Sequence, residues 1–98
     1  MSVAVILYPV SSTPFNMEYY ISHHLPLCQR TWAKYGFKSW TACEVNDGKY
    51  AAKSVIVWDT PDGMATAVEK ESEVTMNDIK NYTDVQPEVI IGKITGSG

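Results

Sequence analysis

His24 is the residue of this 98-residue chain whose type and position most directly suggest chemistry. It falls in the series Met17, Tyr20, Ile21, His24, Cys28, Thr31, Trp32, Tyr35, whose steps of three and four draw one apolar stripe along a helix. His23 points about a quarter-turn away, toward solvent. An imidazole aimed under a helix is either a core histidine with its hydrogen bonds satisfied or a base at a cavity wall. Tyr20 stands one turn before it, and its hydroxyl could bond His24 and hold one tautomer for proton transfer, or merely pin the helix. Cys28 stands one turn after it. A thiol beside an imidazole suggests a nucleophile, although a buried cysteine more often serves as a small hydrophobe.

Other candidates lie further along. Glu71 is on the apolar side of a second helix, where it either reaches to water or faces the same cavity as a second acid/base group with a raised pKa. Tyr82, Asp84 and Gln86 precede the last apolar run. They serve either as turn chemistry or as a polar gate at a pocket mouth. Trp40 and Trp58 could line an aromatic site or fill a core and an interface. Tyr8, at the end of the first strand, and Met64, at the start of the second helix, complete the set expected to contact a ligand. No glycine-rich phosphate loop, dinucleotide fingerprint or Cys/His metal spacing is present, so no cofactor or metal is expected. Parts of this kind suit proton chemistry on an apolar molecule. If that is their use, His24 and a tyrosine should stand at the wall of an aromatic-lined pocket of roughly 300 Å³ or more.

The elements that must position these residues follow from pattern. Val3–Tyr8 is an apolar strand stopped by Pro9. Asn16 is a helix cap, Pro26 predicts a kink near Leu25, and Gly36 ends the first helix. Ser39–Val45 and Ala51–Trp58 are strands joined by an Asn46-Asp47-Gly48-Lys49 turn. Thr60 and Pro61 predict the start of a second helix bearing Met64, Ala67, Val68, Glu71 and Thr75 on one face and fraying near Asn81. Val89–Ile94 is the last strand. The order β-α-β-β-α-β predicts one ferredoxin-like α+β domain over residues 1–95, an antiparallel four-stranded sheet with both helices on one face, and a flexible tail at 96–98.

Both faces of that sheet read apolar. In the first strand Val3, Val5 and Leu7 oppose Ala4, Ile6 and Tyr8; in the third, Val55 and Val57 oppose Ile56 and Trp58. Two helices cover one face only. The other exceeds the apolar patch a monomer tolerates, which predicts a homodimer packed sheet against sheet.

Composition excludes several classes. The chain is 45% hydrophobic and 19% charged with a net charge of −3, an ordinary globular balance. Its eight basic residues form no stripe, so nucleic acid is not an expected partner. The apolar runs reach about seven residues against the roughly 20 that span a bilayer, so no membrane partner is expected either. Two lone cysteines and a start without a basic or cleavage-like region lead us to expect a cytoplasmic setting.

Two stretches carry a resemblance. Glu18-Tyr19-Tyr20-Ile21-Ser22-His23-His24-Leu25-Pro26-Leu27, with the pattern Y-x-x-x-H-x-P-L, resembles the first-helix signature of the EthD family. Asn81-Tyr82-Thr83-Asp84-Val85-Gln86-Pro87 is similar to the motif before that family's last strand. The resemblance implies a dimeric α+β barrel with a pocket between helices and sheet, where His24 would point. It also implies relatives that are cofactor-independent oxygenases, isomerases, decarboxylases or dehydratases of aromatic or polyketide-like molecules, and, elsewhere in the superfamily, haem binders. On that basis His24 is the expected acid/base, Tyr20 its assistant, and Tyr82 or Asp84 the contact to the ligand's polar end. The alternative is an accessory protein that binds a hydrophobic metabolite or a partner enzyme without catalysis.

Overall fold

The structure, a computed structural model, describes residues 1–98. Four strands, β1 (Ser2–Pro9), β2 (Phe37–Glu44), β3 (Tyr50–Trp58) and β4 (Glu88–Lys93), form one sheet in the order β2-β3-β1-β4, with every pair antiparallel. Between β1 and β2 the chain makes a short helix α1 (Met17–Tyr19), a π-helical turn (Tyr20–His24) and α2 (Leu25–Trp32). Between β3 and β4 it makes α3 (Gly63–Lys70) and α4 (Glu73–Asp78). This is the ferredoxin-like α+β plan.

Strand register decides which residues face the helices. Ala4, Ile6 and Tyr8 pair with Ile56, Ser54 and Ala52, and all six are buried. The opposite face carries Val3, Val5 and Leu7 beside Val57, Val55 and Lys53, with Ile90 of β4 opposite Val5. No helix lies over that side, and Ile90 is 62% exposed.

The hairpin turn between β2 and β3 is built as its sequence dictates: Gly48 takes φ +82°, and Asp47 Oδ1 accepts from the backbone N–H groups of Lys49 and Tyr50, both at 2.9 Å. Asn16 caps α1 by accepting from the Tyr19 N–H at 3.1 Å, and Gly36 closes the first helical region in the left-handed conformation.

The second helical region departs from expectation in two ways. Its first helix starts at Gly63 after an Asp62 cap, so Thr60 and Pro61 precede it in a turn instead of occupying the cap and first position. Ser2 Oγ donates to the Thr60 carbonyl at 2.7 Å, which ties that turn to β1. The chain then breaks at Glu71 (φ −147°, ψ 71°) and restarts as α4. The break is held by Trp32, whose indole N–H donates to the Glu71 carbonyl at 2.6 Å.

Gly63 lies under the Trp58 ring, and a Cβ there would stand 2.6 Å from Trp58 Cε3 and 2.8 Å from the Tyr35 carbonyl oxygen. Trp58 is fully buried between Trp32 and Phe37, with no room to retreat. Gly63→Ala should therefore cost about 1–3 kcal/mol and lower Tm by roughly 4–20 °C. A thermal melt equal to that of the parent would show that the Trp58 layer is looser than drawn.

Candidate active site

Pro26 builds the site. Lacking an N–H, it cannot bond the carbonyl of Ser22 as an α-helix would require, and its ring crowds that carbonyl. The helix widens just before it: the Leu25 N–H bonds the Tyr20 carbonyl, five residues back. The expected kink near Leu25 takes this form. The wide turn turns both Tyr20 and His24 inward, to 1% and 6% exposure, with their rings stacked at 5.6 Å and 15°.

His24 is held by an acid that the sequence reading did not single out. Its Nδ1 lies 3.0 Å from Asp78 Oδ2 across the gap to α4. Asp78 is fixed in turn by the Tyr19 hydroxyl at 2.7 Å and the Asn81 amide at 2.9 Å, both donating to Oδ1. Burial alone would raise the Asp78 pKa, but the hydrogen bonds from Tyr19, Asn81 and His24 hold it below the usual carboxylate value. Burial pushes His24 down from its ordinary value, against the upward pull of Asp78, and the ring is neutral near pH 7. An ionised acceptor at Nδ1 fixes the proton there, so Nε2 carries the free lone pair. That lone pair faces Cys28 Sγ at 3.5 Å. The thiol is pushed up to about 12, first by burial and then by Asp78, and is uncharged.

His24 and Cys28 stand at the wall of a cavity between the helices and the sheet. Tyr8, Tyr20, His24, Cys28 and Met64 line it, over a floor that includes Ile6 and Ile56. At about 50 Å³ it is far smaller than the expected pocket of roughly 300 Å³. Met76 and Val89 also line it and are 42% and 44% exposed, so the mouth lies between α4 and β4, where these two side chains would have to swing for a ligand to enter. A haem does not fit: the space is too small for a porphyrin.

The remaining candidates divide. Tyr20 does not bond His24 as anticipated; its hydroxyl shares a hydrogen bond with Ser54 Oγ at 2.7 Å, because the stacked rings aim it at the sheet. Tyr82 is 3% exposed and no gate: its hydroxyl meets that of Tyr8 at 2.5 Å, and its ring lies 4.6 Å from the His24 ring. Asp84 is exposed and accepts from Ser11 Oγ at 2.5 Å, so it serves the loop and not the cavity. Glu71 turns outward to Lys34 and the Tyr35 hydroxyl; its pKa is lowered by them, the reverse of the buried acid considered above. Trp58 fills the core beside Phe37, and Trp40 packs half-buried against that core; neither lines the cavity. His23 is exposed and lies against Tyr19 at 4.9 Å. Within α4 a step of three from the buried Thr75 puts Asp78 on the inward side, but no local pattern pairs it with His24.

An antiparallel four-stranded sheet in the chain order β-α-β-β-α-β, helices on one face and an apolar cavity beneath them define a ferredoxin-like α+β domain. The structure is similar to an EthD-like protein from Ralstonia eutropha JMP134 (TM-score 0.82, 19% identity, covering 99% of this chain and 95% of that one). The EthD resemblance carried by residues 18–27 and 81–87 thus extends to the fold of nearly the whole chain. It is also similar to a dimeric ferredoxin-like protein from an uncultured marine organism (0.62, 12%, 99% and 96%). A third likeness is to SnoaB, a cofactor-independent oxygenase from Streptomyces nogalater (0.68, 13%, 98% and 94%). No protein-family model matches the sequence, and no curated protein sequence matches it. No helix is long and apolar enough to cross a membrane.

Proposed function

We propose that this protein is a homodimeric, cofactor-independent enzyme of the EthD kind, acting by proton transfer on a small apolar carbonyl compound of aromatic or polyketide-like character. The observation that carries the reading is the buried His24 at the wall of an apolar cavity, its Nδ1 bonded to the half-buried Asp78 outside that wall. Asp78 holds the imidazole with Nε2 free, and Nε2 is the base that removes a proton from a carbon or phenol of the ligand. Tyr8, which lines the cavity, supports the polar end: with the Tyr82 hydroxyl donating to it, the Tyr8 O–H is left to donate to a ligand oxygen as negative charge develops there. Burial keeps both phenols protonated. Dehydration, isomerisation and deprotonation ahead of reaction with O₂ all begin with this step; in a decarboxylation the same nitrogen, protonated, would instead supply the proton to the enolate left by loss of CO₂. The likeness to a cofactor-independent oxygenase supports the reading at the level of fold. The two free cysteines, Cys28 and Cys43, support the cytoplasmic setting we assign it.

The test is deuterium uptake at the α-carbon of acetophenone in D₂O, followed by NMR. The parent protein should accelerate exchange, and His24→Asn should lose that acceleration by about 100-fold or more while the protein stays folded. Exchange at the same rate in parent and variant would overturn the reading.

The small resting cavity favours a second reading, an accessory protein that holds a hydrophobic metabolite or a partner enzyme. Under it, His24→Asn lowers thermal stability and leaves no catalytic defect to observe.

A further inference from the structure

The free nitrogen of the His24–Asp78 pair does not face open space. Cys28 Sγ stands 3.5 Å from His24 Nε2, and His24 Nδ1 stands 3.0 Å from Asp78 Oδ2, so thiol, imidazole and carboxylate form one line of proton transfer. The thiol and the imidazole both line the apolar cavity. The far end of the line is anchored by Tyr19 and Asn81 on Asp78 Oδ1. With Nδ1–H committed to Asp78, the Cys28 S–H is the donor placed at Nε2, and any proton taken by Nε2 before a ligand displaces it comes from sulfur.

We propose that Cys28, His24 and Asp78 form a nucleophilic relay by which Cys28 adds reversibly to an apolar α,β-unsaturated carbonyl compound bound in the cavity. The proposal rests on His24 acting as the base described above and names the electrophile class that the same site takes. The thiol proton passes to His24 Nε2 as the S–C bond forms at the β-carbon. The C=C π pair moves to give an enolate, stabilised by the spare phenol donor of the Tyr8–Tyr82 pair, and the proton returns from Nε2 to the α-carbon. The sum is addition of S–H across the double bond, with nothing oxidised or reduced, and the same groups run it backwards. An uncharged enone suits walls that are mostly hydrocarbon and aromatic. The buried thiol is not a standing thiolate, so reaction depends on the base and spares the chain from indiscriminate alkylation.

The second cysteine provides an internal contrast. Cys43 is half-buried on β2, opposite Lys53 on the sheet face away from the helices, with no imidazole near it. In Cys43→Ser protein, N-ethylmaleimide should give one adduct at Cys28 by intact mass while the circular dichroism stays native. The groups around His24 are Asp78, Cys28, Tyr20 and Tyr82, with Tyr19 behind Asp78. The thiol and the phenols are held up and Asp78 is held down, so His24, lowered by burial, is the group whose loss of a proton frees the base. The labelling rate should therefore fall as pH drops through the lowered pKa of His24 and be level above it. A thiol acting alone would instead react faster with every unit of pH toward its own value of about 12. His24→Asn in the same background should label about 100-fold more slowly and lose the plateau. If that variant does not fold, Asp78→Asn serves, with a slower rate and a displaced plateau. Labelling only at the rate of global unfolding, or at the same rate without His24, would overturn the relay. Acetophenone exchange by the parent protein separates the two readings. If exchange occurs without adduct formation, only the relay fails; if neither occurs, the acid/base reading fails with it.

Discussion

Val5→Glu should convert the protein from a dimer of 10.9 kDa chains to a monomer, read by sedimentation equilibrium at micromolar concentration. Val5 sits at the centre of the sheet face that no helix covers, paired with Val55 on one side and Ile90 on the other. Val3, Leu7 and Val57 extend the same apolar surface. If two such faces pack together, the substitution buries a carboxylate on each side of the twofold, close to its own copy and without a partner. Removing the partner of a buried charge costs on the order of 3–5 kcal/mol. Dissociation should therefore strengthen by at least about 100-fold. Because Val5 points away from the helix-side core, the far-ultraviolet spectrum of the monomer should match that of the parent. A parent protein that sediments as a monomer at these concentrations would end the dimer reading, and a variant that stays dimeric would place the interface elsewhere.

Alkaline titration should show a second large effect. Tyr8, Tyr20 and Tyr82 are all buried, and desolvation is the first cause raising each of their pKa values above the usual 10. Cys28 is likewise held up, to about 12, from 9.0. For such acids the folded state favours the protonated form. Their contribution to stability is complete below the unfolded-state values near 9 and 10 and drains away as pH rises past them. Phenolate absorbance from these three residues should thus be withheld and then appear together as the fold opens, in one cooperative step matched by circular dichroism. Gradual ionisation of all three near pH 10 with the fold intact would show that the aromatic cluster under the helices is wet. At the acid end the sign reverses. His24 and Asp78 both have lowered values, so stability present at neutral pH is lost first as pH falls below about 6.5 and again below about 3.8.

The alternation along the strands, the first helical stripe and the Asn16 and Gly36 ends were legible because each rests on a local rule, whereas which strand parity faces the helices, and the start of the second helix at Gly63, were not. Asn16, Gly36 and the Asp47-Gly48 turn do what their side chains and φ values require, and the two-faced apolar sheet follows from alternation alone. The histidine was legible as an inward residue on the same grounds. Its partner was not, because Asp78 lies fifty-four positions away and reaches His24 only once α4 restarts beyond the Glu71 break. That break depends on a tertiary hydrogen bond from Trp32, which no local pattern announces. Tyr82 and Asp84 were read together as gate residues because they share a loop. Packing separates them: one ring joins the aromatic cluster under the helix, and the other side chain ties the loop to Ser11.

The widened turn before Pro26 also sets a rule for comparing this chain with others. One residue more than an α-helix would use is spent between Tyr20 and His24, so the stretch before it and the stretch after it belong to different helical phases. An alignment that carries a straight α-helix through both will match one half correctly and rotate the other by about 100°. Placed by the first half, such an alignment misassigns the positions equivalent to Cys28 and Trp32; placed by the second, it misassigns Met17 and Tyr20. Relatives are best matched here with a one-residue gap allowed at the turn, and a relative lacking both the proline and that extra residue should present a different side chain to the cavity where this chain presents its imidazole.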